Sequence, residues 1–246
     1  LDFAGGTVVH IAAGFSALAF ALVIGPRKGF GKSPMEPNNI PFTVLGAGLL
    51  WVGWFGFNAG SALAANGVAV NALLTTNTSA ATAGLVWMML SWLDGRPSPL
   101  GIATGMVVGL AAVTPASGYV TPMAAMVIGM VAAPLSYYAM RFRDRHRLDE
   151  SLDVWACHGV TSTWGMIAAG LFATTAVNAD GANGLFFGNP GQISVQLLAV
   201  AVTMAFSFGM TYVLARLLRA SIGLRVTVME EEVGLDISSH GERSYS

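Results

Sequence analysis

Seven apolar stretches, most of them close to the length of a membrane-spanning helix, dominate this chain. They run over about 3–24, 41–63, 68–93, 99–114, 121–140, 153–175 and 194–218, and a helix needs about 20 mostly apolar residues to cross a bilayer core. The fourth is short for a span. Only 10% of the 246 residues are charged, against about 25% in soluble domains, and the mean hydropathy is +0.63. Lipid offers the backbone no hydrogen-bond partners, so a spanning chain must satisfy its own N–H and C=O groups. The pattern predicts an all-α fold, a polytopic membrane helical bundle, and not a β-barrel. Glycine supplies 30 residues, and Gly101-xxx-Gly105-xxx-Gly109 in the fourth stretch is the spacing that lets a neighbouring backbone approach closely. Ala62, Ala64, Ala65 and the glycines of the second stretch read the same way.

The cationic residues orient this bundle. Arg27, Lys28 and Lys32 lie in the first connection, Arg96 in the third, and Arg141, Arg143, Arg145 and Arg147 in the fifth. Arg216, Arg219, Arg225 and Arg243 lie at the last helix end and in the tail, while the second, fourth and sixth connections hold none. Positive charge collects on the cytoplasmic side. The expected arrangement is a multi-pass cell-membrane protein with Leu1 at the outer face and a cytoplasmic C-terminus. Residues 1–219 form the transmembrane domain and 220–246 a cytoplasmic regulatory tail. The chain enters an apolar span directly after Leu1-Asp2 with no start methionine, so further spans are expected upstream in a longer protein. A net charge of -1 gives no reason to expect nucleic acid as a partner, and the single cysteine, Cys157, has no internal partner for a disulfide.

Two histidines stand inside these spans, each shortly after an aspartate: Asp2-Phe-Ala-Gly-Gly-Thr-Val-Val-His10 and Asp153-Val-Trp-Ala-Cys-His158. An ionisable group at membrane depth is costly and by default marks a substrate or proton path. His10 lies eight residues in from Asp2, roughly 12 Å at 1.5 Å per residue, and His158 enters from the opposite side. Two neutral imidazoles can bond to each other, one donating and one accepting. Alternatively, each caps a neighbouring helix carbonyl. Metal binding is disfavoured, because Cys157 and His158 point about 100° apart on a helix and no carboxylate sits at mid-depth; neither a metal nor a cofactor is expected. Asp2 and Asp153 lie where a carboxylate caps a helix start, and a structural cap is the favoured reading for both. In Trp54-Phe-Gly-Phe57-Asn-Ala-Gly-Ser61, Phe57 and Ser61 share one helix face. Ring faces and a hydroxyl acceptor there suit a small cation, although aromatic packing or an interfacial belt explains the same residues.

These three motifs, with the tail Glu232-Val-Gly-Leu-Asp236-Ile-Ser-Ser-His-Gly-Glu242, resemble the ammonium transporter family, the Amt/Mep branch of the Amt/Mep/Rh superfamily. The resemblance covers the whole chain in order. It implies an inverted-repeat ammonium-channel fold of about eleven spans, of which this chain holds the fifth to the eleventh, assembled as a homotrimer in the lipid bilayer with one pore per subunit. By position, His10 and His158 match the twin histidines of the pore, and Phe57 one of two stacked gating phenylalanines. Ser61 and Trp54 match the outer recruitment region, and Asp2 the acidic residue near it. Leu50 and Val154 are assigned to the apolar pore lining.

The resemblance implies a non-enzymatic channel. Ammonium is recruited outside and deprotonated, ammonia crosses, and potassium, which has no proton to lose, is refused. An ammonium sensor with the tail as output is the alternative, and a cytoplasmic PII-type protein is the partner the tail suggests. A hydrolase centred on Ser61 is set aside, because no strained turn surrounds it. With part of the pore wall outside residues 1–246, the segment alone is expected not to transport.

Overall fold

A computed structural model describes residues 1–244; Tyr245 and Ser246, the end of the expected tail, lie outside the described residues. Among the described residues the regular elements are all helical. Helix α1 spans Gly6–Ile24, α2 Ile40–Gly60, α3 Gly67–Asp94, α4 Pro99–Val113 and α5 Pro122–Arg145. Helix α6 opens as a π-helical turn, Trp155–Val160, and continues over Thr161–Phe172. Helix α7 is Gly191–Ser221, and the short helices α8, Val228–Val233, and α9, Leu235–His240, lie in the tail.

The starts follow capping chemistry. The side chains of Asn39, Asn66, Ser98 and Thr121 each accept from a backbone N–H in the first turn of α2, α3, α4 and α5, and proline stands just inside α2, α4 and α5. An N-cap oxygen satisfies a free first-turn donor, and proline gives up no bond there. Four helices, α1, α2, α5 and α7, are long and apolar enough to cross a membrane on composition alone, and α4 is shorter. Helices α3 and α6 carry Asn, Thr, Ser and His groups that the bundle interior takes up. In α3, Thr75, Thr76 and Ser79 are fully buried, and the Ser79 hydroxyl donates to the Gly109 carbonyl at 2.8 Å.

The glycine stripe of α4 does what its spacing predicts. A Cβ on Gly105 would fall 2.5 Å from Trp87 Cβ, and one on Gly109 2.7 Å from Ala83 Cβ, so α3 and α4 pack backbone to backbone. At about 22 Å, α4 is shorter than the roughly 30 Å hydrocarbon core, and irregular backbone follows it. The protein satisfies that backbone: Asn71 Nδ2 donates to the Ser117 and Val120 carbonyls at 3.2 and 3.0 Å. The Thr75 hydroxyl donates to the Ser117 carbonyl at 2.9 Å, and the Phe3 N–H to the Pro115 carbonyl at 2.9 Å.

The cationic connections meet at one end of the bundle, as their alternation requires. Arg27 binds Asp149 at 2.6 Å across the first and fifth connections, and Arg141 binds Asp94 at 2.6 Å. Arg225 reaches from the tail to the Pro26 carbonyl at 2.6 Å and to Glu231 at 2.9 Å, and Lys28 pairs with Glu232. Burial alone would raise the Asp149 carboxyl, but the Arg27 hydrogen bonds and charge outweigh it and hold it below its ordinary value.

Candidate functional site

Both histidines stand in π-helical turns, His10 in Gly6–Ile11 and His158 in Trp155–Val160. Such wide turns are rare, short and frequent at functional sites. The helices that carry them cross where neither has a side chain. A Cβ on Gly14, one turn after His10, would fall 2.5 Å from the Gly159 nitrogen. That contact brings the imidazoles together, with His10 Nδ1 3.3 Å from His158 Nδ1 and ring centroids 5.2 Å apart at 28°. His10 is 5% exposed, and its Nε2 has no partner. Neither ring caps a helix carbonyl in place of this pairing.

Helix α2 adds the aromatic side. Trp54 stacks on His10 at 5.1 Å and 23° and lies nearly parallel to His158 at 6.4 Å and 6°. Phe57 meets His10 edge to face at 6.0 Å and Trp54 at 5.9 Å. Ser61 extends this face by one turn. Its hydroxyl donates to the Phe57 carbonyl at 2.8 Å, which leaves the oxygen lone pairs for a donor from outside. His10, His158, Trp54, Phe57 and Ser61 therefore form one continuous arrangement.

The remaining candidates lie around it. Leu50 is on α2 one turn before Trp54 and more than half exposed. Val154 is half-buried at the start of α6, its carbonyl against Gly14. The Asp2 carboxylate faces its own helix, accepting from the Gly6 and Thr7 N–H groups at 2.6 and 2.9 Å and from the Thr7 hydroxyl. Asp153 departs from expectation. No side-chain cap bond is made at the start of α6; the Asp153 carboxylate instead binds Arg143, and its backbone is left-handed at φ 57°. Glu150 supplies the missing acceptor, taking the Trp155 N–H at 3.0 Å. A connection of nine residues between α5 and α6 folds back tightly enough for the earlier carboxylate to reach the helix start, while Arg143 draws the nearer one aside.

Thr114, Gly14, Gly159 and Glu150 escaped the sequence reading. The glycine adjoining His158 and the one a turn after His10 were a readable signal for close approach, and so was a Thr-Pro step at the end of the shortest span. Among the described residues, no group of three or more His, Cys, Asp or Glu side chains is arranged to hold a metal ion.

An all-helical bundle with apolar spanning helices around a buried stack of imidazole and aromatic rings defines a multi-pass membrane protein with polar groups held in its interior. Comparison with known proteins sharpens the class. The profile of the Ammonium Transporter Family matches residues 1–245, and the chain belongs to that family. It is 55% identical to the ammonium transporter Amt1 of Archaeoglobus fulgidus over 246 residues, covering 100% of this chain and 62% of the relative. It is 44% identical to an ammonium transporter of Bacillus subtilis over 247 residues, covering 100% and 61%. Among solved structures, it resembles a Sensor Amt Protein with a TM-score of 0.89 at 33% identity, covering 97% of this chain and 60% of that one. It also resembles Saccharomyces cerevisiae Mep2 with a TM-score of 0.87 at 32% identity, covering 93% and 54%. The chain thus spans less than two thirds of the length of these relatives.

Proposed function

We propose that the chain supplies most of the wall of an ammonium-conducting pore, and that His10 and His158 form the polar step in it. The carrying observation is the Nδ1-to-Nδ1 pairing at 3.3 Å beside a buried, unpartnered His10 Nε2. If one Nδ1 donates, the other accepts, so one outer Nε2 bears a proton and the other a lone pair. The pair then offers an acceptor and a donor to a small nitrogen base, and the two roles exchange when one outer Nε2 takes up a proton, the bridging proton passes between the rings, and the other outer Nε2 gives its proton up.

Ammonium is held at the outer mouth by the Phe57 ring and the Ser61 oxygen, while Trp54, expected in that outer region, is buried deeper against both imidazoles. Asp2 contributes through the field at the start of α1, because its oxygens are already engaged. A bare cation cannot enter a narrow apolar path cheaply, so ammonium leaves its proton and crosses as ammonia, with Leu50 and Val154 along the path. Potassium has no proton to lose and is excluded. Leu1 stands at the outer face, the tail from residue 220 is cytoplasmic and regulatory, and the assembly is a homotrimer in the cell membrane. The names of the relatives as transporters support a non-enzymatic role.

A sensor role is the second reading, favoured by the likeness to a Sensor Amt Protein and by a tail whose Glu231 and Glu232 reach Lys28. The same tail would receive a PII-type protein. Uptake by the full-length protein in transporter-deficient cells tests the main reading. If His10→Ala and His158→Ala variants keep both the parental rate and potassium exclusion, the proposal is lost.

A further inference from the structure

The end of α4 touches every element that carries the ring stack. Thr114 is fully buried and caps the helix. Its hydroxyl donates to the Leu110 carbonyl at 2.8 Å, so the bond it shares with Trp54 has one direction: the indole Nε1–H donates to Thr114 Oγ1 at 2.9 Å. Among the described residues, that hydroxyl is the only partner of a buried indole N–H whose ring lies against His10. Pro115 follows. A Cβ on Gly6, at the start of the His10 turn, would fall 2.6 Å from Pro115 Cβ, and one on Gly165, in the His158 helix, 2.9 Å from Pro115 Cγ. One turn earlier, the Ala111 carbonyl accepts from the Ser162 hydroxyl at 2.8 Å.

We infer that Thr114 is a positioning residue for the histidine pair: it fixes the plane of Trp54, and Trp54 fixes the plane of His10 and the direction of its free Nε2. The inference rests on the pore reading above. The physical argument is that an indole stacked between apolar neighbours can slide or tilt at small cost. A hydrogen bond to a hydroxyl that has already spent its own proton removes that freedom, and losing it leaves a buried donor unsatisfied. Valine fills the same volume as threonine without the oxygen, so Thr114→Val removes the anchor and little else.

The test uses the full-length protein in lipid nanodiscs, with ¹⁵N labelling of tryptophan and histidine, and in proteoliposomes for uptake. In Thr114→Val, the Trp54 indole resonance is expected to lose its hydrogen-bonded shift. The His10 imidazole nitrogens should move with it, and ammonium uptake should fall about two- to tenfold, the range of one net hydrogen bond. Thr114→Ser keeps the hydroxyl and should restore all three. Thr114→Ala carries the same test if the valine variant does not fold. Unchanged His10 resonances in the variants lacking the hydroxyl, or a serine variant that restores nothing, would overturn the inference. If the parent protein carries no ammonium, the transport reading falls by itself, and the resonances still decide whether Thr114 positions the pair.

Discussion

Gly14 and Gly159 meet backbone to backbone, and a side chain on Gly14 would part the helices that carry His10 and His158. A Cβ on Gly14 would fall 2.5 Å from the Gly159 nitrogen and closer still to its Cα. The contact sits one turn from one histidine and beside the other, so the separation of the imidazoles is set by this close approach.

Gly14→Ala is therefore expected to destabilise the protein by about 1–3 kcal/mol, the usual cost of overpacking. It should also reduce uptake more than that loss of folded protein explains. Thermal melting in detergent and uptake per folded molecule check the two effects separately. Ala19, buried elsewhere on α1, provides the control: Ala19→Gly should lower stability without selectively affecting transport.

Removing one imidazole leaves the other without its partner. His10→Ala is expected to slow ammonium uptake at least about tenfold, as loss of about 1.4 kcal/mol of stabilisation would do, or to admit potassium. Rates and ion selectivity in proteoliposomes distinguish the two outcomes. Parental values for both would show that the pair does not lie on the path.

The Arg27–Asp149 bridge makes a pH-dependent prediction. Asp149 titrates below its ordinary value of 3.8 in the folded protein, so the folded state favours the ionised carboxylate. Its contribution to stability is complete above 3.8 and disappears as pH falls through the lower folded value. The difference in melting temperature between parent and Asp149→Asn should be constant at neutral pH and shrink in acid below pH 3.8. A difference that grows on acidification would reverse the assignment.

The tail is fastened by exposed ion pairs, each worth about 0.2–1 kcal/mol. Arg225→Ala removes the bonds to Glu231 and to the Pro26 carbonyl, leaving the Glu231 carboxylate held by the Lys28 N–H alone among the described residues. It is expected to raise the rate of limited proteolysis within 226–244 by a few-fold, and high salt should do the same to the parent protein.

Residues 1–246 alone should not transport. Leu45, Leu49 and Val52 on α2 are 58%, 66% and 67% exposed, and Phe57 is 38% exposed, so the α2 face beside the ring stack is left uncovered. Ammonium-dependent growth of transporter-deficient cells expressing only this segment would contradict the expectation.

The spans were legible because lipid imposes one requirement along the whole chain. Expected limits such as 41–63 and 99–114 differ by at most three residues from Ile40–Gly60 and Pro99–Val113. Charge alternation also read correctly which connections share an end. The histidines were visible as two costly groups, but their pairing joins residues 148 apart, and no local pattern encodes such a distance. Asp153 misled for a related reason. Its place before a helix start suggested a cap, but the choice between Asp153 and Glu150 depended on where the Arg143 guanidinium lay. Thr114 is one of many hydroxyls in the helices, and its partner, the Trp54 indole, lies 60 residues away in the sequence.

The shortness of α4 has a consequence for biogenesis. In the irregular backbone that completes this short span, the carbonyls of Pro115, Ser117 and Val120 are satisfied by Phe3, Asn71 and Thr75. Entering lipid by itself, this hairpin would carry bare acceptors that a bilayer cannot hydrate. Helices α3 and α4 must therefore leave the insertion machinery together, and the hairpin is completed only when the start of α1 closes over Pro115.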